Sequence, residues 1–453
     1  MKLYLILVSL VAAIGGFLFG FDTSVISGAM ITLKPQFGLN EFEEGWAVGS
    51  ILVGCMLGAI FCGKPSQIYG RKKMLLVTAF IFLTSTLGCA LATDFYFFVV
   101  FRMIAGVSVG AASMLSPLYI SEIAPAKWRG KLVSFNQLAT FTGQALAFVS
   151  NKFLYDFVCK YQHIIGNYGC DDVWRYMLGV MIIPSGLFLI FLIFVPESPR
   201  WLVINGKSDK AMKVLEKMDS KESAATALQD ILYSVEHVVT SKFSDLFKGK
   251  MLKILVIGVM MSVFQQVTGI NVLMYYAPKI FRLTGVPEEK AFMMTMIMGL
   301  VNLAFTILSI SLIEKMGRKK LLLIGSTGMA AFMFAISIAF FTDNFRNPGM
   351  ILFFVMGYLA FFALSLGPIV WVLIGEIFPN RVRSRGVSIS IFAMWAANFA
   401  ISYSLPILLK YIGGGFTFLI YAVMCIPCFL FVLKYLVETK GKTLEQIEHD
   451  YLK

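Results

Sequence analysis

Charged side chains are scarce in this sequence. Asp, Glu, Lys and Arg make up 14% of its 453 residues, whereas 58% of the residues are hydrophobic. A soluble protein of this length could not bury so much apolar surface, so a water-exposed globular fold is excluded. We therefore expect the lipid bilayer to be the solvent for most of the chain.

The apolar runs also lack the strict alternation of a transmembrane β-barrel, and a helix satisfies its own backbone hydrogen bonds in lipid. The sequence thus predicts an all-α membrane protein with twelve transmembrane helices. Their approximate ranges are 3–30, 46–62, 74–93, 96–120, 132–155, 174–195, 252–281, 290–313, 320–341, 349–376, 387–410 and 414–436.

Seven cysteines do not form a disulfide framework, because five lie in apolar runs, where Cys is usually a small filler. Cys425 and Cys428 have metal-ligand spacing but no partnering His or Cys, so we predict no metal site. Cys159 and Cys170 share one loop, and either a disulfide bond or two free thiols is compatible with that spacing. A nucleophile–base set and a phosphate-binding loop are both missing, which predicts a protein that is not an enzyme and uses no cofactor.

The formal net charge of +13 would suggest nucleic-acid binding in a soluble protein. Here most of the 39 Lys and Arg fall at alternate ends of the apolar runs, which is the positive-inside pattern. We therefore expect no nucleic-acid partner, a multi-pass position in the cell (inner or plasma) membrane, and both termini in the cytosol. The first run is too long for a signal-peptide core and is predicted to be a retained span.

Three charged signatures occur twice in the same order. Gly70-Arg71-Lys72-Lys73 recurs at 317–320, the segment around Glu122 recurs around Glu376, and Glu197-Ser198 recurs more faintly as Glu438-Thr439. Two copies of one membrane unit are typical of transporters with a substrate site between them. We predict six-helix halves at 1–195 and 251–453, joined by a cytosolic linker with short helices at 196–250.

Asp22 and Arg102 lie well inside predicted spans, where an isolated charge costs roughly 2.5–3.5 kcal/mol on insertion scales. Asp22 is eight residues from the outer end of the first span, and Arg102 is six residues from the outer end of the fourth. At 1.5 Å per residue these depths are about 12 Å and about 9 Å, so the two side chains share one membrane layer and can pair. A carboxylate with one strong partner can take or release a proton as that contact changes, which is what proton coupling requires.

Amide and aromatic side chains recur within the spans of both copies. Amides that donate and accept hydrogen bonds, beside aromatic plates, suit a neutral polyhydroxylated ligand such as a sugar. The same amides can also join helices or line a water path. The set comprises Gln137, Gln144, Gln265, Gln266, Asn271, Tyr275, Tyr276, Asn302, Trp371, Trp395 and Asn398.

Residues 15–22 (GGFLFGFD), 196–202 (PESPRWL) and 264–271 (FQQVTGIN), with the two Gly-Arg-Lys-Lys boxes, resemble the sugar porter family of the major facilitator superfamily. The stretch from Ala112 to Gln137 is especially similar to bacterial D-xylose:proton symporters. The resemblance covers nearly the whole chain and implies two pseudo-symmetric six-helix halves. It also implies that Asp22 and Arg102 are the proton-coupling pair, since facilitative glucose transporters of the family typically have Asn at the position of Asp22.

The resemblance further implies roles for individual side chains. Sugar-binding positions match Gln144, Gln265, Gln266, Asn271, Tyr276, Asn302 and Trp371, and the cavity would be lined by Phe19, Tyr275 and Trp395. A cytosolic charge network that holds the outward-open form would contain Arg71, Glu122, Arg129, Glu314, Arg318, Glu376 and Arg385.

The chain departs from the family pattern at two places. Gln67 and Ile68 stand where an acid and a base usually precede Gly-Arg, which weakens the charge network of the first half. Met394 replaces a Gln of xylose porters beside Trp395, which leaves the choice among xylose, glucose, galactose, arabinose and inositol open.

We expect a monomeric, proton-coupled monosaccharide symporter for a pentose or hexose that works by alternating access, with Trp371 and Tyr275-Tyr276 as gating contacts. The alternative within this class is an uncoupled facilitator of a sugar or polyol such as inositol. A sugar sensor is the alternative outside it, but sensors usually carry long cytosolic extensions, and little follows the last span here.

Overall fold

The computed structural model describes residues 3–161, 169–236, 243–342, 347–379, 382–440, 442, 446 and 450–451. Helices and short turns account for the ordered elements of this part of the chain, and no strand occurs in it. We name the twelve membrane helices spans 1 to 12. Their bounds are Leu3–Phe37, Glu41–Phe61, Arg71–Ala90, Phe95–Ile123, Ala126–Lys160, Cys170–Phe194, 249–282, Glu288–Met316, Arg318–Phe341, Pro348–Glu376, Arg383–Tyr411 and Gly413–Tyr435, with breaks inside spans 6, 7 and 10.

Eleven of these helices are long and apolar enough to cross a membrane, counted over the described residues. Span 5 is a helix of 35 residues, long enough to cross a membrane, but its mean hydropathy is lower than that of the other eleven. Its amides Asn136, Gln137, Gln144 and Asn151 lower its mean hydropathy. The twelve predicted runs are therefore all helical, and the least apolar one carries several of the polar candidates.

Span 7 is interrupted where the sequence has Gly269. The helix ends at Val267, Gly269 adopts the left-handed conformation with φ 97°, and a short helix resumes at Ile270. The freed backbone is satisfied locally, because the hydroxyl of Tyr358 donates to the carbonyl of Thr268 at 2.9 Å. A side chain at position 269 would also crowd the ring of Tyr421.

Span 10 breaks at Ser365, three residues before Pro368. The first part ends at Leu364 and the second begins at Leu366. Pro368 has no N–H and its ring disfavours the helical carbonyl four residues earlier, at Leu364, so the helix is interrupted there. Pro368 therefore causes the break, which lies about one turn before the proline in the chain.

Small residues allow the spans of the first copy to approach backbone to backbone. A Cβ at Gly110 would lie 2.2 Å from the backbone oxygen of Cys55, and one at Gly54 would lie 2.1 Å from that of Met103. Spans 2 and 4 thus touch through glycine, which is typical of membrane helix pairs. These contacts fix span 4 beside span 2 at the level of Arg102.

The chain folds into two compact units, and each mixes sequence from both sides of the predicted boundaries. The first unit contains 1–23, 53–144 and 178–240, and the second contains 24–52, 145–177 and 241–453. The second unit therefore holds the late part of span 1, the early part of span 2, the late part of span 5 and the first part of span 6, together with spans 7 to 12. The linker adds short helices at Pro199–Ile204, Ser208–Met218 and Lys221–Glu236.

Cys159 and Cys170 form a disulfide bond in the segment between spans 5 and 6. Of the two alternatives that the spacing allowed, the structure has the bonded one. The other five cysteines are free and buried.

Replacing Gly110 by Ala should lower the thermal stability of the detergent-solubilised protein by several degrees, because overpacking a tight contact costs about 1–3 kcal/mol. Gly186→Ala is the matched control, since a Cβ there meets nothing within 4 Å. It should leave the melting temperature equal or slightly higher. Equal melting temperatures for the two variants would contradict the packing role of Gly110.

Candidate functional site

The ionisable pair predicted in the membrane lies within the first unit. Nη1 of Arg102 donates to both carboxylate oxygens of Asp22, at 2.9 Å to Oδ1 and 3.0 Å to Oδ2. Asp22 is 3% exposed and Arg102 is 1% exposed. The structure thus brings the two side chains together away from water, where breaking such a pair leaves an uncompensated charge.

Backbone contacts of span 1 hold Asp22 in position. A Cβ at Gly20 would lie 1.8 Å from the carbonyl oxygen of Thr140, and one at Gly143 would lie 2.2 Å from that of Phe17. Spans 1 and 5 therefore meet without intervening side chains just below Asp22. A bulkier residue at either glycine would displace the carboxylate from its layer.

A chain of amides connects the break of span 7 with the break of span 10. Nε2 of Gln265 donates to the carbonyl of Leu366 at 2.9 Å and to that of Gly367 at 3.1 Å. Gln266 donates to Oε1 of Gln265 at 3.2 Å, and Asn271 donates to Oε1 of Gln266 at 2.5 Å. The interrupted helices are thereby coupled through side chains whose hydrogen bonds a hydroxylated ligand can exchange.

A second polar network connects the short helix after Gly269 to span 11. Nδ2 of Asn398 donates to the hydroxyl of Tyr275 at 3.1 Å, and Ser402 donates to Oδ1 of Asn398 at 3.0 Å. The hydroxyl of Tyr276 donates to the carbonyl of Ser402 at 2.9 Å. Both tyrosines are therefore held against one face of span 11.

The remaining candidates differ in exposure and in location. Asn302 and Trp395 are buried at 2% exposure, whereas Trp371 is half-buried on the second part of span 10. Gln137, Gln144 and Phe19 are half-buried and lie in the first unit. The other nine sugar-site candidates all lie in the second unit.

A cavity of about 450 Å³ lies elsewhere, among spans 1, 5 and 6 of the first unit. Its walls include Phe17, Phe135 and Phe191, and Thr142 is the only residue with a polar side chain among them. Such walls do not hydrogen-bond a sugar, and the cavity contains none of the candidate amides. The amide chain is therefore the better candidate for the sugar site, because its side chains can bond to hydroxyls and the walls of this cavity cannot.

The repeated charged signatures fold into two clusters of the same design. In the first, Nη2 of Arg71 donates to Oε1 of Glu122 at 3.0 Å, and Ser198 donates to Oε2 of the same carboxylate at 2.5 Å. In the second, Arg318 donates to Oε1 of Glu376 at 3.0 Å, and Thr439 donates to Oε2 at 2.7 Å. The sequence repeat is therefore a structural repeat.

A further carboxylate completes each cluster, and neither was among the sequence candidates. Glu197 accepts from the backbone N–H of Arg71 at 2.9 Å, and Glu438 accepts from that of Arg318 at 2.9 Å. Each also accepts from the next lysine N–H, at the beginning of spans 3 and 9. The faint Glu-Ser and Glu-Thr repeat was the signal that identifies them.

The glycine before each arginine is needed for this contact. Gly70 has φ 104° and Gly317 has φ 85°, values that favour glycine. An added Cβ would lie 2.3 Å from Glu197 or 2.6 Å from Glu438, respectively.

Not every predicted network residue joins these clusters. Arg129 and Glu314 are exposed and form no ion pair with any residue that the structure describes, because each sits on the solvent face of its helix end. Arg385 is half-buried at the beginning of span 11. The departure at Gln67 is tolerated, since Trp201 donates to its backbone carbonyl at 2.8 Å whatever the side chain.

Comparison with known proteins gives consistent matches over the whole chain. The family profile described as "Sugar (and other) transporter" matches residues 8–451. The D-xylose-proton symporter of Escherichia coli (strain K12) is 40% identical, over 98% of this chain and 95% of the relative. The arabinose-proton symporter of Bacillus subtilis (strain 168) is 38% identical, over 99% and 96%.

A solved structure shares the fold. The partially occluded inward open conformation of the xylose transporter XylE from E. coli matches with a TM-score of 0.86 and 38% identity. The match covers 98% of this chain and 100% of that chain.

Replacing Glu438 by Gln should reduce thermal stability in a pH-dependent manner. Burial alone would raise the pKa of Glu438, but backbone N–H donors of Lys440, Arg318, Lys319 and Thr439 together lower it. A carboxylate with a lowered pKa stabilises the fold above its unfolded pKa of about 4.3 and loses that contribution as the pH falls through the folded value.

The melting temperatures of parent and variant should therefore differ most at about pH 6–7 and converge as the pH falls below about 4. Glu222→Gln, at an exposed position of the linker, is the control and should have the melting temperature of the parent at both pH values. A difference that stays constant with pH would rule out the ionised carboxylate as its source.

Proposed function

Because the chain belongs to the sugar porter family of the major facilitator superfamily, we propose that it is a proton-coupled monosaccharide symporter. The buried contact between Asp22 and Arg102 carries the coupling part of this proposal. The relatives reported above are named as proton symporters, which supports the same conclusion. We expect a multi-pass monomer of the cell membrane with both termini in the cytosol.

The proton step takes place on Asp22. When a proton binds to Oδ1 or Oδ2, the carboxylate becomes neutral and the charge–charge part of its contact with Arg102 is lost. In a site this dry, that change alters the relative stability of the arrangements of spans 1 and 4 by more than it would in water. Protonation can thereby bias the conformational equilibrium that sugar binding also biases.

The sugar step takes place on the amide chain. A monosaccharide hydroxyl that bonds to Gln266 and Asn271 replaces the contact between them, and Gln265 transmits the change to the carbonyls of Leu366 and Gly367. Binding is thus connected to the breaks in spans 7 and 10, where helices can bend at low cost. Alternating access would follow from rocking of the two six-helix halves about the bound sugar.

A pentose is our first candidate for the substrate. The two relatives are named for D-xylose and arabinose, and each is similar over almost the whole chain. Met394, buried at 2% exposure beside Trp395, provides no hydrogen bond of the kind an amide would give. We therefore expect this position to affect the choice among pentoses, hexoses and inositol.

An uncoupled facilitator is the second candidate within the family. In that case the contact between Asp22 and Arg102 would be a structural strut without a role in proton transfer. The two functions differ in whether a proton gradient drives accumulation of the sugar, which a reconstituted system measures directly.

Asp22→Asn should abolish gradient-driven accumulation of labelled D-xylose in proteoliposomes while exchange of sugar at equal concentrations continues. The amide keeps the shape of the carboxylate but cannot carry the proton. Asp209→Asn, on an exposed linker helix, is the control and should accumulate sugar like the parent. Accumulation by Asp22→Asn at the parent level would identify the pair as a strut.

Gln266→Ala should weaken binding of the transported sugar by about tenfold or more, because a buried partner is left without its hydrogen bond. Isothermal titration with D-xylose, L-arabinose, D-glucose and myo-inositol measures both affinity and substrate choice. Gln229→Ala on the exposed linker should bind like the parent. Unchanged affinity for every sugar that the parent binds would remove Gln266 from the site.

A further inference from the structure

A group of five ionised side chains lies at the ends of four spans, on the membrane side predicted to face outward. We call it the outer charge cluster, and it consists of Glu41, Glu44, Lys34, Lys279 and Lys410. Nζ of Lys34 and Nζ of Lys279 each lie 2.5 Å from one carboxylate oxygen of Glu44. Nζ of Lys410 lies 2.6 Å from Glu41.

The members of this cluster come from both copies of the repeat. Lys34 lies in the last turn of span 1, and Glu41 and Glu44 lie in the first turn of span 2. Lys279 lies on the short helix Ala277–Arg282 that ends span 7, and Lys410 lies in the last turn of span 11. All five belong to the second compact unit.

Glu44 is the buried centre of the cluster. It is 1% exposed, whereas the side chains of Lys34, Lys279 and Lys410 are 31%, 32% and 53% exposed. A carboxylate so far from water needs compensating charge, and here it has one lysine from each copy. The first turn of a helix also favours a negative charge at this position.

Close packing beside Glu44 shields its carboxylate from water. A Cβ at Gly45 would lie 2.4 Å from the backbone oxygen of Tyr403 on span 11. The ring of Trp46 meets Phe399 edge-on with centroids 5.7 Å apart, and it meets Tyr403 at 6.3 Å. The charge pairs therefore lie beside a tight aromatic contact between the two copies.

Separation of the copies on this side would affect the two lysines of Glu44 differently. Lys34 would stay with Glu44, because both belong to the first copy. Lys279 would lose its partner, and the bond between Lys410 and Glu41 would break as well. Two of the ion pairs thus exist only while the outer ends are together.

We propose that Glu44 and Lys279 form an ion-pair latch that holds the outer ends of spans 1 and 2 against spans 7 and 11. Breaking this pair shifts the protein toward the form that is open to the outside. The inference rests on the proposed function, since it assigns a part of the transport cycle to residues outside the coupling pair and the sugar site. These residues set how often the outer side opens and do not touch the sugar.

The test measures opening without sugar or proton gradient, by hydrogen–deuterium exchange of the purified protein in lipid nanodiscs. Glu44→Gln and Lys279→Gln should each raise the open fraction about tenfold, since each removes one partner of a largely buried pair. Exchange should rise in peptides from 27–52 and 270–282 and fall near Arg71 and Arg318. The double variant should open no further than the single ones, because both break the same bond.

Arg282→Gln is the matched control. Arg282 and Glu288 form an ion pair at 2.9 Å on the same side, but both residues belong to the second copy. This variant should exchange like the parent. Equal exchange in parent, Glu44→Gln and Lys279→Gln would overturn the latch, and so would fully additive effects in the double variant.

A folding defect is distinguished from opening by Lys279→Gln alone, because Lys279 is a third exposed and tolerates substitution better than Glu44. A rise in exchange over every span of this variant would mean global loosening and would also overturn the proposal. The proposed function is tested separately by the behaviour of Asp22→Asn in accumulation. If the latch variants open as expected but a proton gradient does not drive sugar accumulation by the parent, the latch proposal is retained and the symport proposal is rejected.

Discussion

The rest of this structure depends on the high cost of an unpaired charge in a medium that cannot solvate it. Asp22 and Arg102 are almost wholly buried and touch through a single guanidinium nitrogen. Neither side chain is stable there alone, so any movement that separates them must be accompanied by a change of protonation or by another partner. Spans 1 and 4 are therefore joined by a buried charge pair as well as by packing.

The same constraint explains the polar side chains elsewhere in the spans. Gln265, Gln266 and Asn271 bond to one another and to the carbonyls of Leu366 and Gly367, in the first turn of the helix that follows the break in span 10. Helix breaks in lipid require such partners for their backbone groups. The amides that contact the backbone beside the break can also bond to hydroxyls, so the proposed sugar recognition would involve atoms that lie at a bending point.

Much of this arrangement could be predicted from the sequence where a residue type has few alternatives. The depth of Asp22 and Arg102 followed from counting residues along two helices, and the repeated boxes anticipated the clusters of Arg71 and Arg318. Hydropathy was less informative at helix ends, because it placed the beginning of span 2 at residue 46 and so left out Glu41 and Glu44. Those carboxylates lie in the first turn of span 2 and pair with Lys34, Lys279 and Lys410, and a local hydropathy window cannot register the two lysines that are distant in sequence.

The carboxylates of Glu197 and Glu438 have a consequence for how the chain is made. Glu197 caps the beginning of span 3 from 126 positions later in sequence, and Glu438 caps span 9 from 120 positions later. Because the ribosome synthesises the chain from the N-terminus, spans 3 and 9 lack their capping carboxylate until the last helix of the same half has been made. Each half is consequently completed only at the end of its own synthesis, and a nascent chain truncated before either glutamate should remain a target for membrane quality control.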